Sequence, residues 1–330
     1  MNPILGIIIA VEDNHKEEDI KKTIESTLLQ TSDEVMVIAV ADKPSDKIKD
    51  LLSDYEKKFA DKIITVLTDE KKGSGALFNL GLRNVDTEWI AFVNEGDVLS
   101  KDFAQTLLSI ARKNEADVVS CASNDVNNET DEAVLKEAED LDEYERIAIM
   151  CANPGPLETK IYKRSIFDVN GLWFPEGVSF EKLGVKRLAL LCANKHEHTE
   201  EKLYFFEEKK EEIELQDLYD RLDVMGFFIE ECYKREFLEE YPEEIEFAVI
   251  EDMYIKTLFE YMSITPPKKR KHTFIQILAE AIMDCFPEFE TNPYYFEKYD
   301  DDIKDLISLH ILSPYKFLKQ TMKITEIDVQ

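Results

Sequence analysis

Few residue sets in this chain of 330 residues have the spacing that chemistry demands. His196 and His198 stand two apart among acidic neighbours. No third ligand follows at metal spacing, so a zinc-type site is not expected there. Lys268-Lys269-Arg270-Lys271 is the one basic cluster. After Pro266-Pro267 it reads first as a solvated helix entry, and otherwise as a contact for an anionic acceptor, a lipid phosphate or a membrane surface. Cys121, Cys151, Cys192, Cys232 and Cys285 form no CxxC pair and are odd in number, which reads as buried thiols in a reducing cytoplasm. There is no nucleophile elbow, Cys–His dyad, Walker loop or GxGxxG fingerprint. What remains are carboxylates just after apolar runs: Asp42, and the Asn94-Glu95-Gly96-Asp97 segment. By itself that segment is a tight turn of good turn residues. Asp42 by itself could cap the following helix, as could Ser45 or Asp46.

The elements that would position these residues are legible in the apolar pattern. Residues 4–11, 35–40, 63–67 and 89–93 are short β-branched runs, read as strands covered on both faces. Between them lie helical stretches: Ile20, Ile24, Thr27 and Leu28 share one face, Ile48, Leu51, Leu52 and Tyr55 another, and a third helix begins near Gly75. Such alternation argues for crossovers on a mostly parallel sheet. Ligands then sit at the carboxyl ends of the strands. Residues 121–200 are less regular, and the acidic stretch 124–145 reads as a surface loop or short helix. After about residue 205 the pattern turns helical, with Leu215, Leu218, Leu222, Met225, Ile229 and Cys232 three or four apart. The same holds for Phe247, Ile250, Tyr254, Leu258 and Tyr261, and for Phe274, Leu278, Ala281 and Cys285. The carboxylates of this half are expected on solvated faces.

Six blocks in order resemble family-2 glycosyltransferases. Ile7-Ile8-Ile9-Ala10-Val11 and Ile24-Glu25-Ser26-Thr27-Leu28-Leu29-Gln30-Thr31 are similar to their IIIPVYN and IxSxLxQT segments. Val40-Ala41-Asp42-Lys43-Pro44-Ser45-Asp46 aligns without gaps on VDDGSTD, and residues 73–82 resemble GxSxARNxGL. Glu88-Trp89-Ile90-Ala91-Phe92-Val93-Asn94-Glu95-Gly96-Asp97 is similar to GEYIAFLDxDD. Lys160-Ile161-Tyr162-Lys163-Arg164, Phe174-Pro175-Glu176-Gly177 and Phe180-Glu181-Lys182 resemble KLYRR, FPEG and YED. Residues 286–294 echo the tails of transferases that build Gram-positive surface polymers.

The resemblance implies a GT-A fold: an α/β domain at residues 1–206 with a mostly parallel sheet flanked by helices, then a helical subdomain at 207–330. It implies an inverting glycosyltransferase moving a sugar from a nucleotide diphosphate, expected to be UDP, to a glycan or cell-surface polymer. It further implies Mg²⁺ or Mn²⁺ at Asp97 with Glu95 beside it, Asp42 accepting a uracil N–H, Asn79 binding substrate and Glu181 as proton acceptor. The family pattern is broken at several of these places. Gly96 and Asn94 replace aspartates, Ala41 replaces the first aspartate of VDD, and Ala10, Glu12 and Asp13 replace Pro, Tyr and Asn. Phe78 stands where the family has arginine, and Lys182 where it has the aspartate of its Glu-Asp pair. A protonated lysine cannot take a proton. The alternative is therefore a catalytically inactive glycosyltransferase-like binding or scaffold subunit. A sugar nucleotidyltransferase would want a Gly- and Arg-rich loop where this chain has Glu12-Asp13-Asn14-His15.

Composition narrows the partners. Forty basic against seventy acidic residues give a net charge of −30, which repels nucleic acid. The apolar run at 4–11 is too short to span a bilayer and has no basic segment before it, so neither a transmembrane segment nor a signal peptide is expected. The expected setting is the cytoplasm, extending to the inner face of the membrane if the Lys268–Lys271 cluster touches lipid. Peripheral membrane contact and oligomerisation both stay open.

Overall fold

The unbroken apolar run that follows Pro3 becomes strand β1 (Leu5–Glu12), buried along nearly its whole length. The computed structural model describes residues 3–12, 16–124, 141–207 and 213–321. The chain divides into two compact units, Met1–Lys210 and Glu211–Gln330.

In the first unit β1 pairs in parallel with β2 (Val35–Asp42) on one side and β4 (Trp89–Asn94) on the other, and β2 pairs in parallel with β3 (Ile63–Thr68). Helices α1 (Glu17–Leu28), α2 (Asp46–Lys58) and α3 (Ser74–Asn84) connect them. The apolar residues of α1 and α2 face inward as their spacing requires, with only Leu51 of the expected set partly exposed. Beyond β4 the sheet turns mixed. β5 (Val98–Leu99), α4 (Phe103–Asn114), β6 (Val118–Ser123), α5 (Glu143–Ala152), β7 (Lys160–Lys163), α6 (Ser165–Asn170), α7 (Lys182–Leu191) and β8 (His196–Phe205) follow in order. The eight strands run β3-β2-β1-β4-β7-β6-β8-β5, with β7 antiparallel to both of its neighbours. Of the acidic stretch at 124–145, residues 125–140 lie outside the described residues, as do Asp13, Asn14 and His15. Asp142 opens α5 with a capping box to Glu145.

Period-two alternation gives the sheet two packed faces. Ala91 and Val93 of β4 join Ile7, Ile9, Ile24, Leu52 and Phe103 on one. Phe92, between them, turns to the other and meets Phe78, Phe167 and Phe174 at centroid distances of 5.1, 5.5 and 5.2 Å. Phe78, at the family's arginine position, is thus a fully buried core ring. Gly75, in the first turn of α3, is held by close approach: a Cβ there would lie 2.3 Å from the Pro175 carbonyl oxygen. Alanine is ordinarily the better helix residue, but this contact is to backbone. Gly75→Ala is expected to destabilise the fold by about 1–3 kcal/mol, read from the urea midpoint; an unchanged or raised midpoint would contradict the contact.

The second unit is helical, as its periodicity predicts. α8 (Leu215–Lys234), α9 (Phe237–Glu240) and α10 (Pro242–Ala248) lead into a π-helical stretch, Val249–Ile255, and α11 (Lys256–Ile264). α12 (His272–Cys285), α13 (Pro293–Lys298), α14 (Asp301–Leu312) and α15 (Pro314–Thr321) complete it. Two expectations are corrected. Not every carboxylate coats a solvated face: Glu251 and Asp252 are buried in the π-helical stretch, where Lys256 pairs with both and Lys298 with Glu251. Nor is the basic cluster wholly solvated. Arg270 is buried and donates to the carbonyls of Met262 and Thr265 at the end of α11 and to that of Thr321 at the end of α15. The cysteines also divide: Cys121, Cys151 and Cys232 are buried, Cys192 is half-buried, and Cys285, the last residue of α12, is exposed.

Candidate functional site

Register brings the carboxyl ends of three strands level, since Glu12 pairs with Asp42 and Ala10 with Asn94. Asp42 ends β2 and is 2% exposed. It does not cap α2. Its Oδ2 accepts the amide N–H groups of Lys72 and Gly73 at 2.6 and 2.9 Å, fixing the loop that enters α3. Its Oδ1 is buried and has no hydrogen-bond partner among the described residues. A buried, unmatched acceptor costs about 1–3 kcal/mol, so this oxygen is an open valence at the sheet end.

One residue past that loop, the Ser74 hydroxyl donates to Glu181 Oε1. Glu181 is buried immediately before α7. Lys182 follows, and its Nζ donates to Glu158 Oε1 at 2.6 Å and to Asn94 Oδ1 at 2.8 Å, with the Phe78 ring centroid 5.3 Å away. Burial opposes charge on both partners, but their attraction prevails. The Glu158 carboxyl lies below the ordinary glutamate value, and the Lys182 ammonium above the ordinary lysine value. Lys182 is therefore a cation at neutral pH.

The turn after β4 is built around Thr23 of α1, whose Oγ1 accepts from the Gly96 N–H at 2.9 Å and donates to the Asp97 carbonyl at 2.8 Å. Gly96 has φ +94°, and a Cβ there would lie 2.1 Å from the Glu207 carboxylate. The family's aspartate cannot return at this position without displacing Glu207. Glu95 Oε2 accepts the Glu12 N–H at 3.3 Å. Asp97 is buried, and both of its carboxylate oxygens accept hydrogen bonds. Its Oδ2 accepts from the Tyr204 hydroxyl at 2.7 Å, and its Oδ1 from the Glu207 N–H at 2.9 Å. Burial lifts its carboxyl above the ordinary range against those two bonds. Burial and the nearby Asp97 keep the Tyr204 phenol protonated, so the tyrosine is the donor.

Two assemblies therefore adjoin, Asp42–loop–Ser74–Glu181 and Lys182–Glu158–Asn94–Asp97–Tyr204, while Asn79 stands apart. Its side-chain amide donates to the Phe174 carbonyl and Glu176 Oε1 and accepts the Phe174 N–H, all at 2.9 Å. The structure uses it to hold the segment that abuts Gly75. Glu158, Tyr204 and Ser74 were absent from the sequence-based set. The available signal for Glu158 was a lone acid in Pro154-Gly155-Pro156-Leu157-Glu158, just ahead of a buried strand.

These residues do not fit Mg²⁺ or Mn²⁺ as they stand. Asp97 and Glu158 already serve as acceptors, and an ammonium lies among them. Among the described residues, no group of three or more His, Cys, Asp or Glu is placed to hold a metal ion. His196 and His198 lie on β8, where His198 Nδ1 meets the Ser120 hydroxyl at 2.7 Å.

The family model "Glycosyl transferase family 2" matches residues 7–171, which contain all of β1 but its first two residues, β2, α3 and the turn after β4. The chain belongs to glycosyl transferase family 2. It is 27% identical over 179 residues to the putative glycosyltransferase EpsH of Bacillus subtilis, covering 52% of this chain and 51% of that protein. It is 23% identical over 223 residues to the poly(ribitol-phosphate) beta-N-acetylglucosaminyltransferase TarS of Staphylococcus aureus, covering 63% of this chain and 38% of TarS. The chain thus spans about half the length of these curated relatives, or less. The crystal structure of S. aureus TarS 1–349 in complex with UDP-GlcNAc superposes with a TM-score of 0.70 at 16% identity, over 99% of this chain and 93% of that one. That likeness establishes the GT-A fold of this family-2 member. No helix among the described residues is long and apolar enough to cross a membrane.

Proposed function

We propose that this glycosyltransferase takes a UDP-sugar as donor and transfers the sugar, with inversion, to a hydroxyl of a cell-surface polymer. The observation that carries the reading is the unpartnered Asp42 Oδ1. It sits at the carboxyl end of a parallel strand, where such sheets bind ligands. Lys72 and Gly73 hold the other oxygen still, so the carboxylate is already oriented to receive an N–H such as uracil's. Membership of the family supports transfer, and the fold shared with a protein crystallised with UDP-GlcNAc supports this donor class. Residues 1–206 would carry the reaction, with the helical part at 207–330 as an appended subdomain.

The acceptor oxygen attacks the anomeric carbon opposite the departing diphosphate, so one displacement inverts the centre. Of the two residues at the family's Glu-Asp pair only Glu181 can take the acceptor's proton, because Lys182 is already protonated. That observation also favours a second reading, a family member that binds the donor without turnover.

Donor recognition is tested by titrating UDP into the full chain by calorimetry. Asp42→Asn keeps the shape but turns one oxygen into a donor. It is expected to weaken UDP binding about 10- to 100-fold, the worth of one hydrogen bond to a charged group. Equal affinity in wild type and variant would remove Asp42 from the site.

A further inference from the structure

The residues around Asp97 do not fit a divalent cation, yet they do hold a cation. We propose that Lys182 is the resident cation of the donor site, so that a nucleoside diphosphate binds there without a metal ion. This inference rests on the reading of the site as a nucleotide site and goes beyond it.

Lys182 is anchored rather than free. Glu158 and Asn94 fix two of its N–H groups, at 2.6 and 2.8 Å. An ammonium has three donors, and the third has no acceptor among the described residues. Its side chain remains 25% exposed, against 7% for its counter-ion Glu158. Position also favours the assignment. Lys182 directly follows Glu181, which is tied through Ser74 to the loop that Asp42 holds. The base-binding oxygen and the ammonium therefore lie along one hydrogen-bonded wall.

Four substitutions become intelligible together. Position 78, an arginine in the family pattern, is here a phenylalanine whose ring lies beneath the Lys182 ammonium. Position 182, an aspartate in that pattern, is here the lysine. The positive charge has moved from one side of this contact to the other. Asn94, in place of an aspartate, gives the lysine a neutral acceptor, so one carboxylate fewer competes with phosphate for the ammonium that Glu158 pairs and Glu181 and Asp97 also attract. Relocation of the cation makes a metal-binding aspartate at position 96 unnecessary, and the turn there is free to use glycine.

The test is calorimetric titration of the 330-residue chain with UDP and, separately, uridine, each in EDTA and in Mn²⁺. Uridine reports the base site alone. The expected results are UDP affinities within about twofold with and without Mn²⁺. Lys182→Met should weaken UDP about 10- to 100-fold while leaving uridine unchanged, and Lys182→Arg should keep most of the UDP affinity. Unchanged uridine binding also shows that Lys182→Met is folded. UDP binding that requires Mn²⁺ in the wild type, or that ignores both substitutions, would overturn the proposal and leave the nucleotide site standing. Failure of both uridine and UDP to bind would remove the nucleotide site itself, and the proposal with it.

Discussion

Glu181→Gln is expected to slow transfer from a UDP-sugar by about 10²- to 10⁴-fold, the usual worth of a general base. The amide is isosteric and can still accept from Ser74, so nucleotide binding and stability should change little. Release of UDP, followed with saturating donor and acceptor, separates the two readings. A slow wild-type rate that falls in Glu181→Gln identifies Glu181 as the base. A wild type without turnover, to which Lys182→Asp gives activity, identifies a protein that has lost its base at position 182. A wild-type rate unaffected by Glu181→Gln would remove Glu181 from the chemistry. The difference is electrostatic: Glu158 and Glu181 both favour the ammonium of Lys182, so no accessible pH makes that lysine a proton acceptor for a sugar hydroxyl.

Glu158→Ala is expected to cost about 3 kcal/mol of stability, at the lower end for a broken buried pair because Lys182 is partly exposed. The loss arises less from the missing attraction than from an ammonium left without its counter-ion. Its pH dependence has a definite sign. The native carboxyl of Glu158 lies below its ordinary value of 4.5, so its contribution is present above that pH and fades as pH falls through the native value. Lys182 lies above its ordinary value of 10.5, so its contribution is present below that pH and fades only as pH rises further. The gap in stability between wild type and Glu158→Ala should therefore be widest between about pH 5 and pH 10 and should narrow in acid. A gap that stayed constant down to pH 3 in urea titrations would contradict the ion pair.

The sheet and the acidic end of it were readable for a simple reason. β1, β2 and β4 are covered on both faces, so their residues form unbroken apolar runs, and parallel register brings the residues just after those runs together. Asp42, Glu95 and Asp97 could be located in that way, and Glu181 by its place in an ordered series of motifs. What each side chain does there depended on partners distant in the chain. Asp97 is engaged by Tyr204, in a strand with no motif of its own, and by Glu207 two residues beyond that strand. Lys182 reads in sequence only as a lost base; that it is an anchored cation depends on Glu158 and Asn94. Asn79 keeps its family position, but the path of residues 174–176 decides where its amide points. Gly96 looked like a missing ligand, and its positive φ together with the Glu207 carboxylate beside it shows a turn that favours glycine and would have to shift Glu207 to admit an aspartate. Spacing records the residues on one element. It does not record which other elements arrive beside them.

Crystals of the 330-residue chain soaked with UDP in EDTA test the central claim most directly. The account predicts uracil with its N–H about 2.7–3.2 Å from Asp42 Oδ1, and diphosphate oxygens beside Lys182 with no ion between them. Uracil bound away from Asp42, or a phosphate seen only when Mn²⁺ is added and coordinated by Asp97, would contradict it.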